Sequence, residues 1–262
     1  MSLVVPLPSE TGIKTLKASD LLRMVRTYEA WAHSICAPIF WGDGKGNTRN
    51  GSMTFLRTEQ QVLGITNAHV ADAVAGCTEE IGHQCQVGGA YLDPSWLIAK
   101  HPSMDLATFR LSDIVLSQTA IMRDGSIGDS KHQAATVRTW PPALPSDRSP
   151  VMYGGYPGAH RTAKPDGNLE FGFFWFANQV QSISDTNVGM VINVDHSISV
   201  GSKTLPAGAD LGGWSGGPVF RVVEENKIER LELAAIIYEY SSSTGIVFSH
   251  PLTDLKPDGT FG

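Results

Sequence analysis

Ser215 lies in Gly213-Trp214-Ser215-Gly216-Gly217-Pro218, a glycine-rich turn where backbone N–H groups can converge beside a side-chain hydroxyl. An acyl-transfer nucleophile needs that setting, because glycines let an incoming carbonyl approach the main chain and tolerate backbone angles that other residues resist. The hydroxyl also needs a base within hydrogen-bond reach, and the base needs a third group to orient it. Among the eight histidines, His69 stands out. Gln61-Val62-Leu63-Gly64-Ile65-Thr66 reads as a strand and Asn67-Ala68-His69-Val70-Ala71 as a turn or short helix leaving it, which presents an imidazole at a strand end. The acid candidate is Asp105, opening a strand that alternates Leu106, Thr108 and Arg110 against Ala107, Phe109 and Leu111. A carboxylate entering an apolar strand is costly without a partner. Asp72 is a rival orienting acid, read as capping or solvating a helix. The bland alternatives are a surface turn for Ser215, a satisfied core histidine for His69 and a turn cap for Asp105.

Thr66-Asn67-Ala68-His69, Asp105-Leu106-Ala107 and Gly213-Trp214-Ser215-Gly216-Gly217-Pro218, in that order, resemble the motifs of the trypsin-like (chymotrypsin-fold) serine peptidases, in particular their compact bacterial-type members. The resemblance spans roughly residues 31 to 255 and is specific only at the motifs. It implies His69 as general base, Asp105 as the group that holds its tautomer, and Ser215 as nucleophile. The Gly213, Trp214 and Ser215 segment would line the oxyanion hole, through the Gly213 and Ser215 N–H groups. It further implies an all-β fold of two six-stranded antiparallel β-barrels with a short N-terminal helix, a protein or peptide substrate, and no metal or organic cofactor. Trp214 departs from the digestive members, which carry an aspartate there to capture a freshly cut amino terminus. Activation by that ion pair is therefore not expected, and the full-length chain should not need the cut.

Gly213-x-Ser215-x-Gly217 also matches the nucleophile elbow of α/β-hydrolases. Those enzymes run serine, acid, histidine, whereas here the last histidine, His250, precedes Asp254 and Asp258. A catalytically silent protease-fold binding module, its cleft closed, is the alternative from a different functional class.

Composition suits the two-barrel expectation. The chain has 262 residues with 42% hydrophobic content, 27 glycines and 15 prolines, enough for sizeable cores and many short strands and turns. A net charge of −6 leaves no basic footprint for nucleic acid. No apolar run is long enough to span a bilayer. The first residues lack a positive n-region, and an odd count of three cysteines suits a reducing compartment, so a cytoplasmic location is expected. A bridge between Cys77 and Cys85 is left open.

The organisation expected is an N-terminal extension with a helix (1–30), a first barrel (31–140), a proline-rich linker (141–150) and a second barrel (151–262). Ser19-Asp20 caps the helix, whose apolar positions Leu21, Leu22, Val25 and Tyr28 share a face. It reads as a strut on the body or, alternatively, as a helix for a regulatory protein partner. Aligned on Ser215, Ala209 falls at the base of the pocket that would read the acyl-side residue, with Tyr240 and Gly245 beside the entrance. That predicts a small or medium uncharged preference. Asp210, one position along, would reverse it.

Overall fold

The computed structural model describes residues 27–43, 45–81, 85–118, 120–123, 126–165, 167, 169–192, 211–225 and 228–262. Residues 27–34 are helical (α1). The first half then forms β1 (Cys36–Gly42), β2 (Thr48–Arg57), β3 (Val62–Thr66), α2 (Ala68–Ile81), β4 (Gln86–Val87), β5 (Ala90–Tyr91), β6 (Leu97–Lys100) and β7 (Ala107–Leu111). A short helix α3 (Asp113–Gln118), a hairpin of β8 (Ala120–Arg123) and β9 (Ser126–Lys131), and β10 (Ala135–Thr136) lead to the second half. That half comprises β11 (Pro150–Gly155), β12 (Arg161–Ala163), β13 (Leu169–Phe171), β14 (Phe174–Ile183), β15 (Val188–Val191), β16 (Pro218–Glu225), β17 (Ile228–Ser241) and β18 (Ile246–Pro251).

The second half closes into an antiparallel six-stranded barrel in the order β11-β14-β15-β18-β17-β16. The first half is a sheet in the order β5-β4-β1-β2-β3-β7-β6, with β10 added parallel to β2. It curls without closing among the described residues, so of the two barrels expected one is complete and the other is open. A closed antiparallel barrel also differs from the parallel, helix-flanked sheet of an α/β-hydrolase, which removes the nucleophile-elbow reading.

All five residues of β3 are buried, as a continuous apolar run between two neighbours should be. In β7 the expected alternation breaks at Thr108, which is fully buried beside Ala107 and Phe109. The cause is tertiary. After Pro251 the chain crosses back over the first sheet, and the Thr108 hydroxyl donates to the Gly259 carbonyl at 2.6 Å. The helix after His69 runs the full length of α2, well beyond the turn or short helix read from the sequence.

Three apolar clusters hold the molecule. One fills the first sheet and one the barrel. The third joins them, with Leu56, Ile65 and Leu106 from the first half against Met152, Phe220 and Leu252 from the second. Each fully buried side chain of this kind contributes about 1.5–3 kcal/mol, so the two halves are fastened across the seam. The end of α1 packs there, Trp31 lying 4.7 Å from the Phe220 ring. The capping residues Ser19 and Asp20, and Leu21, Leu22 and Val25, lie outside the described residues. So does the Cys77 side chain, while Cys85 is fully buried.

Candidate active site

Asp105 precedes β7, and His69 is the second residue of α2, which leaves the end of β3. Because β3 and β7 pair with Thr66 opposite Ala107, the two chain ends emerge side by side. Asn67 ties them, its side-chain amide donating to the Asp105 carbonyl at 2.6 Å. The carboxylate then meets residue 69 twice. Its Oδ1 accepts the His69 main-chain N–H at 2.9 Å, and its Oδ2 lies 2.5 Å from His69 Nδ1. A carboxylate can only accept, so Nδ1 carries the hydrogen and Nε2 is left as an acceptor. The carboxylate also meets the N-terminus of α2, where the helix dipole favours negative charge.

Burial alone would raise the Asp105 pKa. The His69 side-chain and main-chain hydrogen bonds, with the charges of His69 and His250, outweigh it and hold the carboxyl below its usual range. Asp72, the rival acid, is paired with Lys100. It does not reach His69.

The Ser215 turn is built against β2. The Ser52 N–H donates to the Ser215 carbonyl at 2.7 Å, the Thr54 hydroxyl to the Gly216 carbonyl at 2.8 Å, and the Ser52 hydroxyl to the Gly213 carbonyl at 2.9 Å. Ser52 Oγ in turn accepts the Tyr156 N–H at 3.0 Å. Gly213 and Gly216 have φ of +101° and +92°, and neither could carry a side chain. A Cβ at Gly216 would sit 1.9 Å from the Ser52 carbonyl oxygen, and one at Gly213 would sit 2.6 Å from Asn50 Nδ2. Trp214 is 1% exposed, its ring edge-on to Tyr153 and Phe176 at 6.3 and 5.7 Å. Where an ion pair is absent, an apolar plug anchors the loop.

The N–H groups of this turn divide into two sets. Those of Trp214, Gly216 and Gly217 donate to the carbonyls of Leu211, Ile237 and Trp214 at 3.1, 2.9 and 2.7 Å. Those of Gly213 and Ser215 have no acceptor among the described residues. The Trp214 N–H, included in the oxyanion segment at the sequence level, is thus committed within the loop.

Ser215 Oγ donates to the Tyr238 carbonyl at 3.4 Å. Among the described residues no hydrogen bond joins it to His69. The loop nevertheless abuts the strand end that carries His69, since a Cβ on Gly216 would lie 2.5 Å from Thr66 Oγ1. His69 and Asp105 are therefore brought together directly, and Ser215 is placed beside the end of β3.

Ala209 and Asp210 lie outside the described residues. Tyr240 pairs with Val247 and packs against the barrel cluster that contains Trp214. Gly245, at φ +67°, turns the β17–β18 hairpin and accepts the Ile192 N–H at 2.7 Å. Sequence reasoning missed Ser52, Thr54 and Tyr238, which occupy ordinary strand positions, and set His250 aside. Its Nε2 accepts the Asp105 N–H at 3.2 Å.

No family model matches the chain, and no curated protein matches it. Among solved structures it is similar to a serine endoprotease from Yersinia pestis, at 14% identity and a TM-score of 0.48, over 91% of this chain and 64% of that one. It is similar to a protease from M. tuberculosis in its active form, at 14% identity and a TM-score of 0.48, over 95% and 89% of the two chains. A Glu endopeptidase matches at 12% identity and a TM-score of 0.46, over 84% and 86%. At these identities and scores the likenesses assign no chemistry to this chain. No described helix is long and apolar enough to cross a membrane.

Proposed function

We propose that the protein is a serine endopeptidase working through an acyl-enzyme. The observation that carries this reading is the two-point seat of His69 on Asp105, which leaves Nε2 of an exposed imidazole free to accept a proton. Ser215 Oγ attacks the scissile carbonyl carbon and its proton passes to His69 Nε2. The oxyanion that forms is received by the Gly213 and Ser215 N–H groups, the two in the turn without an acceptor among the described residues. Each such donor is worth about 10²–10³ in rate. His69 then protonates the leaving amine as the C–N bond breaks, and a water, deprotonated by His69, hydrolyses the ester. For this to begin, the Ser215 hydroxyl must rotate from the Tyr238 carbonyl toward His69. The sequence aligned on Ser215 implies a small or medium uncharged residue on the acyl side.

One observation favours the silent binding module: the same Ser215 contact with Tyr238. A fluorophosphonate probe separates the two. Stoichiometric labelling at Ser215, abolished in Ser215→Ala and slowed by several orders of magnitude in His69→Ala, is expected for the enzyme. Intact protein that never labels is a binding module. A peptide library then reads the pocket, and predominant cleavage after Lys or Arg, lost in Asp210→Ala, would show that Asp210 occupies the base.

A further inference from the structure

We propose that His250 is a positioning residue that, in its neutral form, locks the main chain of Asp105 and the strand that carries Tyr238 into register for catalysis. The proposal rests on the reading of Asp105 as the orienting acid. His250 stands in β18, on the barrel, and reaches across the seam to the acid in the other half. Its Nδ1 lies 2.9 Å from the Thr186 carbonyl, in the turn between β14 and β15. Its Nε2 accepts the Asp105 N–H at 3.2 Å. Its ring stacks on Tyr238 at 4.0 Å and 11°, and the Tyr238 carbonyl accepts the Ser215 hydroxyl. One imidazole therefore touches both Asp105 and the residue whose carbonyl faces the Ser215 hydroxyl.

The chemistry of the partners settles its proton. A carbonyl can only accept, so Nδ1 bears hydrogen. A main-chain N–H can only donate, so Nε2 bears none. A second proton on the ring would put N–H against N–H and break the contact to Asp105. The groups facing the ring are the Asp105 carboxylate and His101 from the acid loop, the Tyr238 ring from β17 and the Thr186 carbonyl from the β14–β15 turn. His101 itself faces Asp254 at 3.5 Å. Burial lowers the His250 pKa, with His101 in the same sense, and outweighs the Thr186 bond and the Asp105 charge that raise it. The lock is thus present in neutral solution and is lost as pH falls through that lowered value. The cationic ring would also compete with His69 for the Asp105 carboxylate.

His250→Gln offers a carbonyl oxygen near the Nε2 position but does not titrate, whereas His250→Phe fills the space without an acceptor. The measurement is the rate of fluorophosphonate labelling at Ser215 from pH 4.5 to 8.5, with thermal melts to establish folding. The expected result at pH 8 is a rate within about threefold of wild type for His250→Gln and a loss of tenfold or more for folded His250→Phe. On the acid side the logarithmic slope should be steeper in wild type than in His250→Gln, by up to one proton. A His250→Phe rate within twofold of wild type, or equal slopes in wild type and His250→Gln, overturns the proposal. Should His250→Phe not fold, the slopes decide. If wild type never labels, the peptidase reading fails instead, and the low-field proton resonance of His69 Nδ1–H, identified by its absence in His69→Ala, becomes the test. That resonance should persist in His250→Gln in neutral solution and, as pH falls, broaden in wild type earlier than in His250→Gln; identical behaviour would overturn the lock.

Discussion

At the scale of single residues, the proposed chemistry depends on the tautomer of His69, and Asp105 sets that tautomer through one 2.5 Å contact. In Asp105→Asn the side-chain amide can turn its NH₂ toward Nδ1, which stabilises the tautomer with hydrogen on Nε2. That tautomer cannot accept from serine. The expected result is a loss of about 10³–10⁴ in kcat with an unchanged fold. The depressed Asp105 pKa has a linked consequence for stability. A carboxyl held below its ordinary 3.8 contributes stability that is present above that value and lost as pH falls through the folded value. Urea titrations should therefore show wild type more stable than Asp105→Asn at pH 7, with the gap closing below about pH 3.8. A gap independent of pH would mean that the carboxylate charge is not what the site selects.

At the scale of elements, β2 is the bracket on which the Ser215 turn is hung. Ser52 alone supplies two of the turn's bonds, through its N–H to the Ser215 carbonyl and its hydroxyl to the Gly213 carbonyl, and its hydroxyl also accepts the Tyr156 N–H. Ser52 is fully buried. Ser52→Ala would leave both a carbonyl and an N–H without their partner, at a cost of about 1–3 kcal/mol. Because Gly213 is one of those partners, the variant should also label about tenfold more slowly at a temperature where it remains folded. A lower melting temperature with unchanged labelling would show that β2 supports the barrel seam and not the N–H geometry. The same bracket explains why Gly216 takes no side chain: its neighbour is the main chain of β2, which cannot swing aside.

At the scale of the whole molecule, pH acts through the buried imidazole of His132, which packs in the first half. His132 is 5% exposed, rests edge-on against Phe55 and bonds through Nδ1 to the Ser34 carbonyl at 3.0 Å. Burial pushes its pKa down to about 4, against the Ser34 bond that raises it. Between 6.5 and 4 the unfolded chain then binds a proton that the folded chain refuses, so stability falls as pH falls through that window. The full effect is about 3 kcal/mol. His132→Asn keeps a donor toward Ser34 and does not titrate. Denaturation at pH 7 and 4.5 should show wild type losing about 2 kcal/mol more than the variant. Parallel losses would place the acid sensitivity elsewhere, in the carboxylates.

The sequence by itself determined the local settings: a serine between glycines, a histidine at the exit of an apolar strand, an acid at the entrance of another, and a chain of many short strands. Those features follow from residue type and near neighbours, so a linear reading reaches them. Thr108 shows where that reading stops, because its burial depends on residues that return from the chain's far end. Only the tertiary structure decided which N–H groups of the 213–217 turn find an acceptor among the described residues, since the carbonyls that take up those of Trp214, Gly216 and Gly217 lie on β17 as well as within the loop. It also decided that Asp72 belongs to Lys100 and that His250 belongs to Asp105. Hydrogen bonds across the seam between two β-structures join residues more than a hundred positions apart, and neither periodicity nor spacing along one chain carries that information.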